Sequence, residues 1–141
     1  MQVPVNERRV IDLCEEAVER LSETLPEAEV GALVREGESL RHVAHAGRLR
    51  VIYEVRRDQG GVVWRAVESG QTQLVEDVRG DPDYLASDER VESEIAAPVH
   101  AGGDVVLVLD IEFPRRAFTA EEAEAVEAEA ARLARALAGG P

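Results

Sequence analysis

Three acidic residues, Glu94, Asp110 and Glu112, carry the strongest hint of chemistry in this sequence, because strand geometry brings them together. Ser93-Glu94-Ile95-Ala96-Ala97-Pro98-Val99-His100 and Val105-Val106-Leu107-Val108-Leu109-Asp110-Ile111-Glu112-Phe113 read as the arms of a β-hairpin. Between them, Ala101-Gly102-Gly103-Asp104 is a turn whose glycines take positive φ at no steric cost. Side chains alternate between the two faces of a strand. One face of the return arm is therefore wholly apolar (Val105, Leu107, Leu109, Ile111, Phe113), and the other runs from Val106 and Val108 to Asp110 and Glu112. Laying Ile95, Ala97 and Val99 over Ile111, Leu109 and Leu107 keeps the apolar face intact. It predicts a three-residue loop, Gly102 to Asp104, with Ala101 facing Val105. A two-residue loop would set Ile95 against Asp110 and mix the faces. The predicted register places Glu94 opposite Glu112, and Asp110 opposite Ala96 and diagonal to Glu94. Directly opposed like charges destabilise a sheet by roughly 0.2–1 kcal/mol per pair. Such a patch needs a cationic partner, a proton, or exposure to water.

Other reactive residue types point to less. His42 and His45 lie three apart on a predicted strand, which turns them to opposite faces and argues against a zinc pair. Cys14 sits on the apolar face of a predicted helix and reads as a small buried hydrophobe. As the single cysteine it excludes an intramolecular disulfide and a thiolate metal cluster. Gly60-Gly61 precedes a short helix, but no preceding strand or dinucleotide-binding spacing supports a phosphate site there.

The elements that position the acids follow from periodicity. Residues 6–23 fit an amphipathic helix with Asn6 as N-cap, ended by Pro26. Val30 to Val34 and Ser39 to His45 are strands joined by Arg35-Glu36-Gly37-Glu38. Gly47 to Asp58 is a long Arg-rich excursion, a candidate lid. Val62 to Ser69 is a short helix closed by Gly70, Gln73-Leu74-Val75 a short strand, and Asp77 to Glu92 an acidic loop. Thr119 to Leu137 is a second long helix, opened by a Thr119–Glu122 capping box. Its stripe of Ala123, Val126, Ala130, Leu133 and Leu137 suits close helix packing. The order predicts an α+β fold, an antiparallel sheet with both terminal helices on one face. The excursion, the short helix and the acidic loop then roof a pocket over the acidic end of the hairpin.

Length and composition set the frame. The 141 residues fit one domain, 1–141, able to bury about two-thirds of its unfolded surface. A net charge of −13 argues against nucleic-acid phosphates and anionic membranes. All sixteen basic residues are arginine, which excludes a Schiff-base or P-loop lysine. With no signal-peptide core and no apolar run of about 20 residues, a cytoplasmic location is expected.

Gly60 to Gln71, Val75-Glu76-Asp77-Val78, Ser93 to Val99 and Val108-Leu109-Asp110-Ile111 together resemble the central motifs of a GAF domain, over nearly the whole chain. The resemblance implies a central antiparallel sheet with helices on one face, a ligand pocket on the other, and dimerisation through the terminal helices. Within that family the chain resembles the free methionine-(R)-sulfoxide reductases. That implies that Glu94, Asp110 and Glu112 hold a substrate ammonium. The segment that carries the catalytic cysteine in those enzymes has Ser87 here, and Val63 replaces the cysteine after the Gly-rich turn. Sulfoxide reduction needs a thiolate and usually a resolving thiol. The expectation is therefore a non-catalytic small-molecule sensor, without metal or cofactor, homodimeric and signalling to a separate output protein. Trp64 and Tyr84 are its expected pocket walls and Asp77 an added polar contact. An altered reductase and a ligand-free dimerisation module are the alternatives, with Trp64 then in the core and Asp77 and Asp81 capping turns.

Overall fold

A computed structural model describes residues 7–139. The Asn6 cap lies outside this range. The first helix, α1 (Glu7–Thr24), buries Val10, Cys14, Ala17, Val18 and Leu21 along one stripe. The last, α3 (Ala120–Ala138), opens on the expected box: Glu122 N donates to Thr119 Oγ1 at 3.1 Å, and Thr119 N to Glu122 Oε1 at 2.8 Å. Both helices lie on one face of the sheet, tied to each other by Arg20, whose guanidinium donates to both Glu129 oxygens at 3.1 and 2.7 Å.

The strands are β1 (Glu29–Glu36), β2 (Ser39–Ala46), β3 (Glu54–Arg56), β4 (Gln73–Val75), β5 (Val91–Ala101) and β6 (Asp104–Pro114). They form one antiparallel sheet in the order β3-β2-β1-β6-β5-β4, with the β5–β6 hairpin inside it. The third strand was not expected. Its three residues sit in the stretch read as an excursion and are too few to show a period.

Along most of its length the hairpin has the predicted register: Ile95 faces Ile111, Ala97 faces Leu109, Val99 faces Leu107 and Glu94 faces Glu112. The turn differs. Ala101 pairs with Asp104, so the loop is the two residues Gly102 and Gly103, at φ 61° and 88°. The faces stay unmixed because Val106 is an extra residue opposite Val99–His100. This bulge absorbs the one-residue mismatch. It also sends Val105 to the face away from α1 and α3 while Val106 joins Leu107 beneath them.

The two faces carry separate cores. Under α1 and α3 lie Val30, Ala32, Ile95, Ala97, Leu107, Leu109, Ile111 and Phe113. On the other face Leu33, Leu40, Ala96 and Val108 meet the helix α2 (Val62–Ser69) and the loop after β4. Trp64 of α2 is 1% exposed and donates from Nε1 to the Val55 carbonyl at 2.9 Å. The guanidinium carbons of Arg35 and Arg57 stand 5.7 and 5.6 Å from its ring centre. Trp64 thus fastens α2 to β3. Trp64→Ala is expected to cost about 3–5 kcal/mol, read as a lowered urea midpoint.

Candidate functional site

A cavity of about 40 Å³ lies on the sheet face opposite α1 and α3. That is room for about three water molecules. Its floor is Gly31 and Leu33 of β1, Glu94 of β5, and Asp110 and Glu112 of β6. Its wall on the β2 side is His42 and His45, and its roof comes from Arg50, Val51 and Ile52, from Gly61 to Val63, and from Leu85 and Ser87.

Glu94, Asp110 and Glu112 each place a carboxylate oxygen within 4.8 Å of the other two. Glu94 is 4% exposed. Glu112 accepts a hydrogen bond from Ser87 Oγ at 3.2 Å. Asp110 Oδ1 is buried with no partner. Burial, followed by the charge of Asp110, pushes the Glu94 carboxyl well above the usual carboxylate range. The same two causes push Glu112 up to about 8, against the opposing pull of the Ser87 hydroxyl. Among the described residues no arginine or histidine forms an ion pair with any of the three, although Arg50 lines the cavity.

The roof is a strap, residues 47–53, latched at both ends. Glu29 of β1, itself buried, accepts from the amides of Arg48 and Leu49, each at 2.9 Å, and its Oε1 lies 3.3 Å from His45 Nε2. At the other end His42 N donates to the Tyr53 carbonyl at 2.8 Å, and His42 Nδ1 meets the Ile52 carbonyl at 2.6 Å. A carbonyl only accepts, so Nδ1 carries the proton. Burial lowers the His42 pKa, with Asp110 and the Ile52 carbonyl opposing it. The neutral ring therefore leaves Nε2 as a bare acceptor. Two glycines make this latch possible. A Cβ on Gly31 would stand 2.6 Å from His42 Nε2, and one on Gly47, at φ 146°, would collide with the Glu29 carboxylate.

The six residues singled out in the sequence divide three ways. Glu94, Asp110 and Glu112 meet on the cavity floor. Tyr84 is outside the lining, but its buried, unpartnered hydroxyl is near enough to feel Glu112, Glu94 and Asp110, which add to burial in raising its pKa. Trp64 and Asp77 do not line the cavity: Trp64 is core, and Asp77 caps the surface turn Val78–Gly80 and pairs with Arg79. The histidines required the opposite correction. Leu33 faces His42 while Ala32 faces Ala44, so Val43 is an extra residue in β2. That bulge reverses the alternation, and both rings face the cavity, 6.2 Å apart and edge to face. Sequence reading also missed Glu29 and Arg50.

Residues 7–138 match the family described as GAF domain. The chain belongs to the GAF-domain family. Such domains are commonly small-molecule-binding sensors. This GAF domain is 27% identical to a type II free methionine-R-sulfoxide reductase from Thermoplasma acidophilum, with a TM-score of 0.81 over 91% of this chain and 92% of that one. A free methionine-R-sulfoxide reductase from Neisseria meningitidis, solved with its substrate, has the same fold: TM-score 0.80 at 24% identity, covering 92% of this chain and 78% of that one. Protein YtsP of Bacillus subtilis is 39% identical over 54 residues, 38% of this chain and 33% of that protein. The match to this curated relative thus spans a third of its length. Among the described residues of this GAF domain, no helix is long and apolar enough to cross a membrane.

Gly47→Ala is expected to force Glu29 off the Arg48 and Leu49 amides. Placing a side chain at that φ costs about 1–3 kcal/mol. Hydrogen exchange should show those two amides losing protection ahead of the sheet.

Proposed function

We propose that this GAF domain is a non-catalytic regulatory protein that binds a small amino-acid-like or otherwise cationic ligand in its acidic cavity. The observation that carries the reading is the trio itself: three carboxylates converge on the floor of one cavity, and among the described residues no cation is paired to them. A ligand ammonium would supply the missing charge, and the strap with Arg50 would close over it. The fold shared with a free methionine-R-sulfoxide reductase supports a ligand of that chemical class.

The thiol chemistry has no carrier. Ser87 points its hydroxyl at Glu112, Val63 is apolar, and Cys14 is buried on the opposite, helix-covered face. Burial, with the nearby Glu15, pushes the Cys14 thiol up to about 12, far from the thiolate a reductase needs. The ligand signal would pass to a separate output protein. A homodimer through α1 and α3 would use their outer surfaces, because Ala123, Val126, Ala130 and Leu133 face this chain's own sheet. Light scattering should report twice the monomer mass.

A screen of amino acids and their derivatives by thermal shift tests the function. At about 100 times the dissociation constant a ligand adds about 2.7 kcal/mol of stability. At least one α-amino compound should raise the melting temperature of the wild type and leave Glu94→Gln unmoved. Free methionine sulfoxide with thioredoxin should show no turnover. A screen without any shift would remove the ligand reading, and turnover that survives Cys14→Ser would establish an enzyme.

A further inference from the structure

We propose that, without ligand, Glu94 and Glu112 hold protons beside the carboxylate of Asp110, and that a cationic ligand enters the cavity by expelling those protons to the solvent. This deepens the ligand-binding reading and rests on it for the identity of the incoming cation.

The geometry leaves few other ways to balance the site. Three ionised carboxylates would put three negative charges within 4.8 Å of one another. In such an arrangement like charges prevent full ionisation. Each element around the trio has been used for something else. From β1, Glu29 adds a fourth carboxylate, facing Glu112 across the sheet, but its oxygens are spent on the strap amides and His45. From β2, burial lowers the His42 pKa and keeps the ring neutral, with its Nδ1 proton donated to the Ile52 carbonyl. From the loop after β4, Asp81 pairs with Arg65 and Asp88 with Arg90, so neither arginine is available, and Tyr84 brings only a neutral hydroxyl. Arg50 of the strap lines the cavity but forms no ion pair with the trio.

Two further observations show buried acceptors without donors. Glu94 is 4% exposed with no donor beyond its acidic neighbour, and Asp110 Oδ1 is buried and unpartnered on the cavity floor. Protons fill the role in the empty state: a protonated Glu94 donates to Asp110, and a protonated Glu112 carries no charge against it. A ligand ammonium supplies both a positive charge and N–H donors. The carboxyl O–H bonds then break, the electron pairs stay on the carboxylates, and the protons pass to buffer. The trio ends ionised around the cation.

The exchange has a sign. A carboxyl whose pKa is higher in the folded protein than in the unfolded chain binds more protons when folded. Its stabilising contribution is complete below the unfolded value, near 4.5, and is lost as pH rises through the folded one, about 8 for Glu112. The ligand-free protein should therefore lose melting temperature between pH 5 and pH 9, and Glu112→Gln should flatten that fall. Ligand affinity should run the other way, rising up to about tenfold per pH unit for each proton released while Glu94 and Glu112 are still protonated.

The test has two arms. Infrared spectroscopy of the ligand-free wild type at pH 7 should show protonated-carboxyl absorption that disappears on titration to pH 10 and weakens in Glu94→Gln. Titration calorimetry with L-methionine at pH 7, in buffers of different ionisation enthalpy, should count about two protons released per ligand bound, one from Glu94 and most of one from Glu112. Absence of the carboxyl band, together with a flat stability profile, would overturn the proton store and leave ligand binding untouched. Methionine binding without proton release would overturn the exchange. A carboxyl band without methionine binding would uphold the store and count against the amino-acid reading alone.

Discussion

The placement of the acids depends on a constraint imposed from the other side of the sheet. Ile95, Ala97 and Val99 pair with Ile111, Leu109 and Leu107, and the whole row is sealed under α1 and α3. A slip of one residue would turn that row toward the cavity and the acids into the helix-side core. Hydrophobic burial on one face thus holds three mutually repelling carboxylates together on the other. The repulsion is tolerated because the apolar row is larger and cannot be satisfied in another register. The electrostatics of the cavity follow from this: two raised carboxyl groups, an orphaned oxygen, and no cation paired to the trio among the described residues.

How much of this was legible depends on whether strict alternation held. Between Ser93 and Val99 it does, and the pairing of Glu94 with Glu112 could be read from the pattern of apolar residues alone. At Val43 and Val106 it does not. A bulge inserts one residue without any signature in residue type, since a valine suits a regular strand as well as a bulged one. Strict alternation therefore puts the turn one residue from its place and turns the histidines to opposite faces, whereas the bulged strands do neither. The strap escaped notice for a related reason. Glu29 and Gly47 are far enough apart that only the fold shows the glycine making room for the carboxylate. Trp64 and Asp77 misled because an aromatic or an acid near a pocket motif looks the same in sequence whether it lines the cavity or braces its frame.

The comparison with reductases of the same fold separates scaffold from reaction. Sheet, strap and acidic floor require only apolar patterning, two glycines and three carboxylates, and all are present. The reaction requires a thiolate at a defined place, and the places that the resemblance assigns to it hold Ser87 and Val63. Ser87 keeps a tie to the floor through Glu112.

β1 is the partition between the two halves of the molecule. Glu29, Gly31 and Leu33 look into the cavity, while Val30, Ala32 and Val34 lie under the terminal helices. Cavity and helix seat are therefore separated by a single peptide plane, with no intervening layer to cushion a displacement. Whatever tilts that strand from below also tilts the surface on which α1 rests.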